Sequence, residues 1–180
     1  PPWLRVVRGL VDSDSLPLTV PRELLQDSAI VRGIKKQVTK KTLDLLDELA
    51  KEKAEDYATF WKSFGSVLKT GLATDFEYRE RIGNLLRAES STQTSLTSLS
   101  DYVGRMKEGQ EAIYFVIGES RKALERSPHL EALNQRGYEV LFLTDPVDEW
   151  AYESLRTFQG KPLVSAMRAN LPLKEDDEQK

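Results

Sequence analysis

Arg22 and Gln26 stand four residues apart in the segment Thr19-Val-Pro-Arg-Glu-Leu-Leu-Gln26, a spacing that puts two side chains on one face of a helix. Pro21 suits the first helical turn, where a missing N–H costs nothing, and Glu23 suits the positive terminus, so a helix is expected to start near Arg22. A guanidinium on a preformed loop is what a phosphoryl-transfer site takes from a neighbouring domain, because its planar fork stabilises charge on the transferred group. Residue type alone does not decide for that role. An arginine at a helix start, beside a turn-rich loop, is by default a solvated side chain.

Other chemistry finds less support. His129, in Ser127-Pro-His, is the one histidine and cannot build a zinc site without further ligands. The carboxylate pairs Asp12 with Asp14, Asp47 with Glu48, and Asp148 with Glu149 fall at turns or on helix faces, where solvation or capping accounts for them. A phosphate loop requires Gly-x-x-x-x-Gly-Lys-Ser/Thr, whose backbone N–H groups cradle phosphate. Gly160-Lys161 is followed by Pro162 and preceded by Leu155 at the first glycine position, so the motif fails on both sides. Gly118-Glu-Ser120 reads as a strand-to-helix connection, and no dinucleotide fingerprint is present.

The elements that would carry these residues belong to a globular chain. Its 180 residues, 39% hydrophobic and 31% charged, suffice for one substantial core or two small ones. The 26 basic and 29 acidic residues nearly cancel, which removes the electrostatic footprint of a nucleic-acid binder. The absence of cysteine excludes disulfides and thiolate metal sites and fits a reducing, cytoplasmic compartment. No run approaches the roughly twenty apolar residues of a membrane span. The start at Pro1-Pro2-Trp3, with no Met, reads as a cut inside a longer polypeptide.

The fold class expected from the pattern is α/β (α+β overall), with a helical segment followed by a small three-stranded, mainly parallel α/β/α segment. Leu4 to Val11 reads as a strand and Asp12 to Pro17 as a loop. Val31, Ile34, Val38, Leu45 and Leu49 keep helical spacing, with Asp47 four before Lys51. Tyr57, Phe60, Trp61, Phe64 and Leu68 repeat it, with a stop expected at Gly71. Thr74-Asp-Phe-Glu77 has capping-box form for a third helix. Ser90 to Ser95 reads as a loop, and Leu99 to Met106 as a short helix before Gly109. The continuous apolar runs Ala112–Ile117 and Val140–Leu143, with the weaker Leu163–Ser165, read as strands of a parallel sheet. Four segments follow: 1–20, the end of a preceding α/β segment with a catalytic loop; 21–107, helical; 108–167, small α/β; and 168–180, a linker or tail.

Several long motifs, in order, resemble the middle domain of the ninety-kilodalton heat-shock protein family in its bacterial form. They are Leu4-Arg-Val-Val-Arg-Gly-Leu-Val-Asp-Ser13, Leu16-Pro-Leu18, Arg22-Glu-Leu-Leu-Gln26 and Asp101-Tyr-Val-Gly-Arg-Met-Lys-Glu-Gly-Gln110. Trp61-Lys-Ser-Phe64, Leu85-Leu-Arg87, Ser127-Pro-His-Leu130 and Asp148-Glu-Trp150 fall in the expected order as well. The likeness extends to about Ala166.

The resemblance implies the later middle-domain part of an ATP-driven, homodimeric bacterial chaperone of the cytoplasm. Its partners are its own amino-terminal ATPase domain, its own carboxy-terminal dimerisation domain, and unfolded or partly folded client proteins. It implies that Arg22 and Gln26 reach the terminal phosphate of ATP, bound with magnesium in the amino-terminal domain. The family usually has serine before this arginine, and Pro21 stands here instead. It also implies client contacts at Glu149, Trp150 and Tyr152. Trp150 lies at the edge of a helical stripe with Val147, Ser154 and Phe158, so core packing and client contact both fit it. The chain alone is expected to be a monomer without cofactor or turnover. Two further readings stand beside this one: a stand-alone α/β enzyme binding a nucleotide or phosphorylated metabolite, and a passive spacer between domains.

Overall fold

The computed structural model describes residues 1–11 and 29–169, so Arg22, Gln26, the loop around Asp12 to Pro17 and the charged tail lie outside the described residues. The helices are α1 (Ala29–Glu52), α2 (Ala54–Thr74), α3 (Arg79–Leu85), α4 (Leu99–Gly104), α5 (Arg121–Leu124), α6 (Glu131–Gln135) and α7 (Asp148–Leu155). The strands are β1 (Glu89–Ser90), β2 (Ile113–Ile117), β3 (Val140–Leu143), β4 (Thr157–Phe158) and β5 (Lys161–Ser165), in the spatial order β1-β3-β2-β5-β4. The three expected strands form the parallel centre, with Phe115 opposite both Leu141 and Ser165. Two antiparallel two-residue strands close its edges.

Both faces of the sheet are covered, which is why β2 and β3 read as unbroken apolar runs. Side chains alternate across a strand. Ile113, Phe115, Leu141 and Leu143 therefore join the larger core with Tyr152 and Leu155, while Tyr114, Val116, Val140 and Phe142 meet Leu124, Leu130 and Leu133 on the other side. The larger core continues without a break into α1 to α4. Helical and sheet segments thus share one interior, and the change near Lys107 is one of element type.

Several local expectations are corrected. Leu4 to Val11 is not a strand: Pro2–Leu4 forms a single 3-10 turn, and Leu10 and Val11 are exposed. A strand requires a neighbouring edge, and among the described residues none runs beside this segment. Thr74 does not open a capping box but ends α2, its hydroxyl donating back to the Thr70 carbonyl at 2.8 Å. Asp47 pairs with Arg81 of α3 at 2.5 Å, which ties α1 to α3.

Of Ser90 to Ser95, expected as a loop, Ser90 belongs to β1 and to a buried network. Ser90 is fully buried and donates to Glu139 Oε1 at 2.6 Å. Arg105 grips the same carboxylate through Nε (3.0 Å) and Nη2 (2.9 Å). Tyr102 of α4 donates its hydroxyl to the Glu139 carbonyl at 2.6 Å and accepts from Gln110 Nε2 and the Tyr114 N–H, both at 2.9 Å. This network fixes α4 against the start of the parallel sheet.

Gly71 lies inside α2 rather than at its end, and packing explains it. A Cβ there would come within 2.5 Å of Ile82 Cδ1 and 2.8 Å of Trp3 Cγ. Trp3, 1% exposed, fills the space a side chain would take and donates its indole N–H to Asp75 at 3.1 Å. Gly71→Ala gains helix propensity of about 1 kcal/mol but overpacks a rigid junction at a cost of about 1–3 kcal/mol. The expected result is a net loss, seen as a lower Tm of the 180-residue chain in thermal denaturation.

Candidate functional site

α7 grows out of the loop that follows β3, and a buried charge cluster sets its position. Lys69 of α2 is only 6% exposed. Its ammonium lies 2.6 Å from Asp148 Oδ1 and 3.3 Å from Asp145 Oδ2. Ser66, one turn earlier on α2, also hydrogen-bonds Asp145. Asp148 in turn accepts the Asp145 N–H at 3.1 Å, closing the turn that opens α7. Asp148 is therefore no solvated helix-face carboxylate but a buried ion partner at 2% exposure. The sequence did carry a signal, since Lys69 falls on the same helical stripe as Trp61, Gly65, Leu68 and Leu72.

The two carboxylates titrate in opposite directions. Burial raises Asp148 above its ordinary value, and Lys69 only partly offsets that. Burial pushes Asp145 the same way, but the Ser66 hydroxyl and the Lys69 charge outweigh it and hold this carboxyl below the ordinary range.

With its first turn anchored, α7 buries Asp148, Ala151, Tyr152 and Leu155. The stripe expected through Val147, Ser154 and Phe158 is corrected: the helix ends at Leu155, and Phe158 belongs to β4. Arg156 breaks the helix with φ 61° and ψ −50°, a conformation costing a non-glycine residue of order 1–3 kcal/mol. It is held there by its own N–H to the Tyr152 carbonyl and by the Leu163 N–H, which donates to the Arg156 carbonyl at 2.8 Å. Gln159 and Gly160, both at positive φ, then turn β4 into β5, the backbone pattern of a two-residue hairpin loop.

Between α7 and β5 opens a cavity of about 1020 Å³. Phe115, Ile117 and Leu163 give it apolar walls, and Met167, an exposed residue, stands at its edge. Glu149, Tyr152, Glu153 and Arg156 contribute the α7 side at i, i+3, i+4 and i+7, one face of a helix. Arg168 pairs with Glu153 across the mouth at 3.1 Å.

The three residues singled out on α7 thus have different places. Glu149 is exposed at the cavity rim. Trp150 is 41% exposed and stands beside the cavity without lining it. Tyr152 is 1% exposed, its ring packed 5.8 Å from Phe115 as part of the wall, and its hydroxyl faces inward without a hydrogen-bond partner. Arg156, Met167 and Arg168, which sequence reasoning passed over, complete the site. Arg22 and Gln26 lie outside the described residues.

The sequence profile of the Hsp90 protein family matches residues 1–180. The chain belongs to the Hsp90 family. It is 68% identical over 180 residues to a protein of Myxococcus xanthus strain DK1622 named Chaperone protein HtpG, covering 100% of this chain and 28% of that relative. Proteins of the same name from Actinobacillus succinogenes and Bordetella pertussis are each 50% identical, the first over 96% of the chain and 28% of the relative, the second over 100% and 29%. The Hsp90-family chain described here therefore spans less than a third of the length of these curated relatives. No helix among the described residues is long and apolar enough to cross a membrane.

The charge cluster gives a test of how α7 is held. In Lys69→Met the two carboxylates lose the charge that favours their ionised forms, so both folded-state pKa values rise. The penalty is present while both are ionised and is relieved as pH falls toward the ordinary carboxyl value of 3.8. Thermal unfolding should show a loss of about 3–5 kcal/mol at neutral pH, shrinking steadily toward pH 4.

Proposed function

We propose that this chain is the later part of the middle domain of an Hsp90-family chaperone and offers unfolded or partly folded clients a surface built on α7. The observation that carries the reading is Trp150, a large aromatic left 41% exposed on a helix whose next turn borders an open cavity with apolar walls. An exposed aromatic beside apolar surface is what a non-native segment can cover, because burial from water is favourable and needs no fixed sequence. The cavity rim carries both signs of charge, so the surface admits a range of segments while its flanks stay hydrated.

In the same reading Arg22 and Gln26 are the residues that hold the terminal phosphate of ATP, which binds with magnesium in an amino-terminal domain of the full-length protein. Family membership and the Arg22-Glu-Leu-Leu-Gln26 wording support this role. What this chain contributes is a planar cation that binds and orients the phosphate. The full-length protein acts in the cytoplasm as a homodimer, joined through a carboxy-terminal domain.

Two substitutions in the full-length protein separate the two roles. Arg22→Ala should leave ATP affinity nearly unchanged and lower hydrolysis about a thousandfold, measured as nucleotide binding and as phosphate release. Trp150→Ala should leave the melting temperature within about 1 °C, as expected for an exposed side chain, and weaken capture of a chemically unfolded client several-fold. Unchanged client affinity in Trp150→Ala would remove α7 from the client surface.

A further inference from the structure

Resting on the client reading of α7, we infer that the cavity between α7 and β5 selects extended segments that place an apolar side chain between an acidic and a basic residue about three positions apart. The selection comes from which charges are already satisfied. Glu153 and Arg168 neutralise one another at 3.1 Å. Glu149 and Arg156 form no ion pair among the described residues, and both are exposed at the cavity. The site therefore presents one open carboxylate at the start of α7 and one open guanidinium just past its end.

Their spacing sets the occupant's length. Seven steps at the helical rise of about 1.5 Å set the backbone positions of Glu149 and Arg156 about 10 Å apart along α7. An extended chain covers that distance in roughly three residues at about 3.3 Å apiece. Between the two charges lie Tyr152 and, across the cavity, Phe115, Ile117 and Leu163, a surface suited to apolar side chains. An acidic group of the segment meets Arg156, a basic group meets Glu149, and the residues between them cover the apolar walls.

The backbone at Arg156 supports a recognition role. A glycine would adopt φ 61° without strain, yet the chain places an arginine there, its N–H donating to the Tyr152 carbonyl and its carbonyl accepting from the Leu163 N–H. Fixing this backbone sets the direction in which the side chain leaves the chain at the edge of the cavity. Packing does not require the side chain, which is exposed.

The probe is a fluorescein-labelled, end-blocked peptide, Gly-Asp-Leu-Val-Lys-Gly, compared by anisotropy with Gly-Asn-Leu-Val-Gln-Gly on the full-length protein at low ionic strength. The dipolar peptide should bind about tenfold more tightly, the scale expected of two partly exposed ion pairs together. That preference should fall several-fold in either Arg156→Gln or Glu149→Gln and fade with added salt. Arg156→Gly provides the second variant: it should melt at or above the wild-type temperature, because its backbone is relieved, yet lose the preference as Arg156→Gln does. Equal affinity for the two peptides overturns the inference, as does a preference that survives both Arg156 variants. Tighter binding of the doubly acidic Gly-Asp-Leu-Val-Glu-Gly overturns it too, since Glu149 would then play no part. If charge selection is absent while Trp150→Ala still weakens client capture, this inference fails and the client reading stands. If Trp150→Ala changes nothing and neither peptide binds, both fail.

Discussion

A buried ammonium must have partners, and Lys69 finds two of them, Asp145 on the turn after β3 and Asp148 at the first residue of α7. Removing charges from water is costly, and attraction in the interior offsets the cost only when geometry is close and the remaining polar groups are bonded. Ser66 and the Asp145 N–H add those bonds, so α2 is held at one rotation and one height relative to the sheet. That in turn sets the direction of α7. Because Asp148 must point inward to Lys69, Glu149 and Trp150 must point outward, and the face at 149, 152, 153 and 156 falls beside β5. The candidate site is thus a consequence of an ion cluster on the adjoining side of the helix, which Asp148 and Tyr152 share at i and i+4.

Hydrophobic burial provides the bulk of the cohesion, and polar groups choose the arrangement. The larger core crosses from helices to sheet, which alone would allow the two segments to slide or rotate against each other. Two polar ties prevent it: the Lys69 cluster at the carboxyl end of β3, and the Arg105, Ser90 and Glu139 network at its amino end. The short strands β1 and β4 end the sheet on each side with two residues apiece. Edges so brief leave little backbone for another strand to pair with.

Elements with strong periodicity were legible in the sequence, and those defined by distant partners were not. Ala112–Ile117 and Val140–Leu143 announced buried parallel strands because both of their faces had to be apolar, and α2 was visible in its aromatic stripe. β1 could not be read, since a two-residue polar strand is defined by β3 and by Glu139, about fifty positions away. Gly71 looked like a helix stop because the identity of its neighbour, Trp3, appears only in three dimensions. In the candidate site Glu149 and Trp150 were named through family wording. Arg156 was missed because its positive-φ backbone, and its lack of an ion partner among the described residues, have no signature in local sequence.

Tyr102 carries a consequence for how this sequence can vary. A phenolic hydroxyl has one proton to give and two lone pairs to share, and all three are used here: by the Glu139 carbonyl, the Gln110 amide and the Tyr114 N–H. The atom is full. No other side chain among the twenty offers that valence at that distance from α4, so a change at 102 strands three groups at once, two of them backbone and beyond the reach of any compensating substitution. Position 110 retains a little freedom, because its amide also reaches the Ala112 carbonyl. Drift in this part of the chain is therefore coupled. Residues 102 and 110 thus answer to one shared constraint, while the exposed positions of α7, Glu149, Trp150 and Glu153, carry none from this network.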